Sequence, residues 1–185
     1  MIASVIRAGR AVLYPIYKGS YERHVENDQG SFRDRLIMRE RDLRRSLDYL
    51  ESRDDIDSSR LAFYGHSLGV LVNPYALALD NRFQAAILLN GGLTPRWPGD
   101  QIDPLHFWPR VRIPALMLNG RRDNVFPHEE SQVPLFQLLG TPEADKRHVV
   151  YERGHAHATL SDEEIAEVLG WLDKYLGPVR QVANP

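Results

Sequence analysis

The chain has 185 residues, 43% hydrophobic and 26% charged, with 23 basic and 25 acidic side chains for a net charge of -2. That near balance argues against a general nucleic-acid or anionic-membrane binder, which needs an excess of Lys and Arg. There is no cysteine, which excludes a disulfide scaffold, a thiolate zinc site and a cysteine nucleophile.

The first residues, Met1 to Arg7, are too soon interrupted by Arg7 and Arg10 for a signal peptide. No apolar run approaches the ~20 residues of a membrane helix, and cytoplasm is the default location. Five short apolar runs follow: Ala11 to Tyr14, Leu61 to Tyr64, Ala85 to Leu89, Ile113 to Leu118 and His148 to Tyr151. Their apolar residues are mostly continuous rather than alternating, as in strands covered on both faces. Helical patterns separate them. Leu36, Leu43, Leu47 and Leu50 recur on one face of a helix whose other face is charged. Helices are also expected at Leu68 to Leu79, against Pro74, and at Glu129 to Leu139, against Pro134. Ile165, Val168, Leu169, Leu172 and Leu176 form a last stripe, opened by a Ser161/Glu164 capping box and closed by Gly177-Pro178. Alternating strands and helices predict an α/β fold with a mostly parallel sheet of about five strands flanked by helices. The stretch from Gly91 to Arg112 is irregular. Its Trp97, Phe107 and Trp108 either wall a pocket or pack the loop onto the body.

Gly65-His66-Ser67-Leu68-Gly69 follows the Leu61 strand and precedes a helix pattern, the context of a G-x-S-x-G nucleophile elbow. A turn this tight strains the serine backbone and lifts its hydroxyl clear of the sheet. Glycines on either side are expected to relieve clashes. The Leu68 N–H, at a helix N-terminus, points toward a developing oxyanion. A serine hydroxyl needs a base, and the base needs a carboxylate to orient it. Asp123 fits the acid, just after the Ile113 strand, with Asp103 and then Asp100 as rivals. His155 fits the base, after the His148 strand and next to Gly154, with His157 as its competitor. His66 is a pocket or surface residue, whereas His24, His106, His128 and His148 read as surface residues. No histidine or carboxylate spacing suggests a metal, and no cofactor is called for. Tyr17, Trp97 and Phe126 are the other pocket candidates.

With these residues placed, the chain resembles the α/β-hydrolase superfamily, in its dienelactone-hydrolase and acetyl-esterase branch. Residues Tyr14 to Arg23 and Leu116 to Asp123 are similar to bacterial hydrolase domains, some of them fused to serine/threonine kinases. The resemblance implies carboxylic-ester hydrolysis by a Ser67–Asp123–His155 triad. A peptidase or thioesterase would use the same set. It also implies three strands ahead of the Ala11 run that this sequence does not show. Residues 1–178 are therefore expected to form an N-terminally truncated hydrolase domain, with 179–185 a disordered tail. The missing loop would supply the second oxyanion N–H, and a backbone N–H around Ile16 to Lys18 is the substitute to look for. Loss of one such donor costs about 10²–10³ in rate. The Ala11 strand would pair with the Leu61 strand or leave a gap, exposing edges prone to association. The expected partners are a small-molecule ester and either a second copy or another chain completing the sheet. The alternative function is a weak or inactive hydrolase domain acting as an interaction module.

Overall fold

Four of the apolar runs become parallel strands. In the computed structural model, which describes residues 1–24, 30–94, 99–155 and 160–179, they are β1 (Leu61–His66), β2 (Phe83–Leu89), β3 (Ala115–Gly120) and β4 (Lys146–Tyr151). They lie side by side in the order β1-β2-β3-β4. Adjacent residues on each strand serve opposite faces. Ala86, Leu88, Ala115 and Met117 join a core with Phe63, Val70, Leu43 and Leu47. Ala85, Ile87, Leu89, Leu116 and Leu118 meet Val168, Trp171, Leu172 and Leu176 on the other side. Both faces are covered, which is why these strands read as unbroken apolar runs rather than alternating ones.

The helices are α1 (Ile2–Arg7), α2 (Phe32–Glu51), α3 (Leu68–Leu71), α4 (Pro74–Leu79), α5 (Val133–Leu138) and α6 (Asp162–Leu176). The buried residues of α2 are Leu36, Leu43 and Leu47, three of the four in the leucine stripe. The fourth, Leu50, is only partly buried against the same core. In α6 the expected capping box is present: Ser161 Oγ accepts the Glu164 N–H at 3.2 Å and Glu164 Oε2 accepts the Ser161 N–H at 2.9 Å. Proline divides the helix expected over 68–79. Pro74 cannot donate to the preceding turn, so α3 stops and Pro74 opens α4. The helix expected over 129–139 begins as a π-helical turn, His128–Gln132, and continues as α5 with Pro134 near its start. Between Gly91 and Arg112 the described residues hold three short 3₁₀ turns. Trp108 there is 1% exposed and packs into the core, while Phe107 meets the Tyr75 ring at 4.7 Å.

The first apolar run departs from expectation. Residues 10–17 carry no strand, and β1 stands at one end of the sheet. The chain here is held by side chains instead. Lys18 N–H donates to Asp42 Oδ2 at 2.8 Å, and Arg23 grips the same carboxylate at 2.9 and 3.2 Å while donating to the Ile16 carbonyl at 2.6 Å. No helix among the described residues is long and apolar enough to cross a membrane.

The register aligns the carboxyl ends of the strands. His66 pairs with Leu89, and Gly120 with Tyr151. The loops carrying Ser67, Asn90, Asp123 and His155 therefore all leave the sheet at one edge, the usual location of sites in open α/β sheets.

Candidate functional site

Ser67 connects β1 directly to α3. Its backbone sits at φ 51° and ψ -109°, a conformation that costs a non-glycine residue about 1–3 kcal/mol. Surrounding bonds hold it there: Ser67 N–H donates to the Leu89 carbonyl at 2.9 Å, and the Ser67 carbonyl accepts from Val70 at 3.0 Å. A Cβ on Gly65 would come within 2.7 Å of the Phe63 ring and 3.1 Å of the Gly69 backbone. A Cβ on Gly69 would meet nothing within 4 Å. The steric demand expected of both glycines thus falls on Gly65 alone. Leu68 opens α3, so its N–H has no acceptor within the helix.

Ser67, Asp123 and His155 come together, although 88 positions separate Ser67 from His155 and 32 separate His155 from Asp123. The Asp123 side chain is fully buried, and Oδ2 lies 2.7 Å from His155 Nδ1. Its other oxygen accepts the N–H groups of Val125 at 2.8 Å and Phe126 at 3.0 Å, fixing the carboxylate plane. An ionised carboxylate only accepts, so the imidazole proton resides on Nδ1. His155 Nε2 then faces Ser67 Oγ at 2.9 Å as an acceptor, positioned to take the hydroxyl proton. Phe126 is 5% exposed and its ring lies 5.8 Å from that of His155. His66 lies 6.0 Å from the same ring, centroid to centroid, and its Nε2 is 3.2 Å from Asn90 Nδ2.

The loops bearing acid and base are tied to each other. Arg121 N–H donates to the Tyr151 carbonyl at 2.8 Å and Arg122 N–H to the Arg153 carbonyl at 2.9 Å. Gly120 permits this approach, since a Cβ there would collide with the carbonyl oxygens of Arg153 and Gly154. Beneath the acid loop Gln132 is fully buried and donates to the carbonyls of Gly120 at 2.8 Å and Phe126 at 2.7 Å.

The other sequence candidates lie as follows. Asp103 caps a 3₁₀ turn by accepting the Leu105 N–H at 2.9 Å, and Asp100 is exposed in the turn before it. Tyr17 packs beside α2 with the Arg39 guanidinium 6.0 Å from its ring centre. Burial first, then the Glu40 charge, pushes its hydroxyl up to about 12. The Lys18 N–H is engaged by Asp42, which removes it from the search for a second oxyanion donor. Trp97 and His157 fall outside the described residues. Two histidines are not the surface residues expected. The His128 side chain is 14% exposed and Nδ1 lies 3.0 Å from Gln132 Oε1. His148 Nε2 lies 3.1 Å from Asn119 Oδ1, and burial, with smaller contributions from His128 and Arg121, lowers its pKa to about 4. Arg153, Asn90 and Gln132 were not singled out from the sequence, and Glu164 was read only as a helix cap. Arg153 meets Asn90 across 63 positions, and nothing local to either signals the contact.

A parallel sheet with a strained serine between strand and helix is the architecture of an α/β-hydrolase, and the solved structures agree. An esterase from Pyrococcus furiosus, Pf2001, superposes with TM-score 0.75 at 16% identity, covering 95% of this chain and 75% of its own. A cold-adapted esterase from an Arctic intertidal metagenomic library gives 0.61 at 24% identity, over 77% of this chain and 59% of its own. A Klebsiella pneumoniae protein assigned as a dienelactone hydrolase gives 0.60 at 21%, over 76% and 61%. The chain thus spans about three-fifths to three-quarters of these relatives. At these identities the likeness concerns the fold. Residues 21–180 match the model of the PETase family, PET hydrolase-like, and the chain belongs to that family.

Proposed function

We propose that this chain is a serine hydrolase that cleaves carboxylic esters through an acyl-enzyme on Ser67. The observation that carries the reading is the continuous array from Asp123 through His155 to Ser67 Oγ, at 2.7 and 2.9 Å. In the first half-reaction Ser67 Oγ attacks the acyl carbon while its proton passes to His155 Nε2. The resulting imidazolium is stabilised by the buried Asp123 carboxylate. The Leu68 N–H supplies one hydrogen bond to the oxyanion. Collapse of the tetrahedral species breaks the carbon–oxygen bond of the ester, and His155 returns the proton to the departing alcohol. Water then attacks the acyl-enzyme with His155 as base, releasing the acid and restoring Ser67. His66 and Phe126 flank the imidazole and are the wall residues this reading favours, and Tyr17 and Trp97 remain pocket candidates of the same proposal. A peptidase or thioesterase would use the same groups. The esterases among the structural neighbours favour an oxygen ester.

A second reading treats the domain as a weak hydrolase serving as an interaction module. It is favoured by β1 lying at the end of the sheet while residues 10–17 run without strand pairing. Under this reading a second copy or another chain would complete the sheet.

Hydrolysis of p-nitrophenyl acetate and butyrate separates the two. The leading reading expects turnover that Ser67→Ala and His155→Ala reduce to background and Asp123→Asn reduces by about 10⁴. Turnover unchanged by Ser67→Ala would overturn it. A folded chain with no turnover would favour the interaction module.

A further inference from the structure

Beside the array runs a second line of polar contacts that the proposed chemistry does not use. It begins at Glu164, whose side chain is 3% exposed and whose Oε2 is already committed to the Ser161 N–H at 2.9 Å. Its Oε1 accepts Arg153 Nε at 2.9 Å and is also gripped by Nη2 of the same guanidinium. Arg153 Nη1 then donates to Asn90 Oδ1 at 2.8 Å. Asn90 is 0% exposed and left-handed at φ 47°, and its N–H is held by the Leu118 carbonyl at 2.8 Å. Its Nδ2 faces His66 Nε2 at 3.2 Å. Arg153 precedes His155 by two residues, and His66 immediately precedes Ser67.

The protonation of this line follows from what each group is able to donate. A guanidinium only donates, so the Asn90 atom facing Arg153 is the oxygen. The atom facing His66 is then the amide nitrogen, which also only donates. His66 Nε2 must accept, so it carries no proton, and the ring is neutral with its hydrogen on Nδ1.

We propose that Arg153 and Asn90 act as a positioning relay, anchoring the His155 loop to α6 and holding His66 in its neutral Nδ1–H form next to Ser67. This rests on the serine-hydrolase reading. The consequence for catalysis is electrostatic. His155 becomes a cation during acylation, and His66 stands 6.0 Å from it. A neutral His66 leaves that cation unopposed, whereas a charged one would repel it in a site of low effective dielectric. The relay also fixes the loop on both flanks, because the Arg153 carbonyl accepts from Arg122 at 2.9 Å beside the acid loop. None of these residues touches the reacting atoms. They act through His66 and His155.

The test is ¹⁵N NMR of histidine-labelled protein together with steady-state ester kinetics. In the wild type the His66 ring is expected to show protonated Nδ1 and bare Nε2 at pH 7. Asn90→Asp keeps an acceptor for Arg153 but turns the donor facing His66 into an acceptor. It is expected to place a proton on His66 Nε2 and lower kcat about tenfold with KM unchanged. Asn90→Gly, which tolerates the left-handed backbone, is expected to free the tautomer and lower kcat by a smaller factor. Arg153→Lys, which loses the fork but keeps the charge on Glu164, should recover part of the activity lost in Arg153→Met/Glu164→Gln. A protonated Nε2 in wild type overturns the relay whether or not the protein turns over ester. So do folded Asn90 variants with wild-type kcat. Wild type with the expected tautomer but no turnover sinks the hydrolase reading, and the positioning role with it.

Discussion

Replacing Gln132 with Met removes the support under the acid loop without changing side-chain length. Gln132 is fully buried and donates to the carbonyls of Gly120 and Phe126, the residues on either side of the Asp123 turn. Methionine fills the space but donates nothing, so two buried carbonyls lose a partner. The Gly120 carbonyl keeps a longer bond from Asp123 N–H at 3.3 Å, which softens one of the two losses. At about 1–3 kcal/mol for a buried polar group left unsatisfied, the expected destabilisation is about 2–4 kcal/mol. For a chain of this size that corresponds to a fall of roughly 5–12 °C in Tm. Urea denaturation of wild type and Gln132→Met measures the first figure, and a thermal melt the second. The loosened loop also holds Asp123 less firmly, so ester turnover should fall more than binding. A loss below about 0.5 kcal/mol would refute the argument that this amide holds the acid loop in place.

Three further outcomes follow from the same geometry. Gly65→Ala should destabilise by about 1–3 kcal/mol through overpacking against Phe63 and the Gly69 backbone, whereas Gly69→Ala should stay within about 0.5 kcal/mol in the same melt. Glu40 has a buried Oε1 without a partner, and burial above all pushes its pKa up to about 6. Its charged form therefore opposes folding: stability is fullest below the ordinary value of 4.5 and declines as pH rises through 6, so Glu40→Gln should gain about 1 kcal/mol over wild type at pH 7.5, after discounting for solvent screening, and nothing at pH 4.5. His148, lowered to about 4, folds in its neutral form. The unfolded chain takes up its proton first, so stability is lost as pH falls from 6.5 toward 4. His148→Gln should flatten that acid decline by about 1–2 kcal/mol in pH-dependent denaturation, and parallel curves would count against the buried network.

The strands and the elbow were legible because their signals are local. A run such as Ala85 to Leu89 is apolar throughout because both its faces are buried, and Gly65 to Gly69 sits between such a run and a helix. The run at Ala11 to Tyr14 is likewise unbroken by a charged residue yet forms no strand. Composition records the propensity of a segment but not whether a neighbouring strand is there to bond it. Pro74 marked a real break because its missing N–H acts on its own chain, one turn away. His148 and His128 were misread because a histidine's burial depends on distant partners, here Asn119 and Gln132. Arg153 was missed for the same reason. Beside Gly154 it reads as a solvated loop residue, and only the fold brings Asn90 to it from 63 positions away.

Labelling with a fluorescent fluorophosphonate tests the central claim most directly, because that reagent reacts with a serine only when a base activates it. The arrangement of Asp123, His155 and Ser67 predicts labelling of the wild-type chain that Ser67→Ala and His155→Ala each abolish. A folded wild-type chain that stays unlabelled, or a label that survives Ser67→Ala, would contradict it.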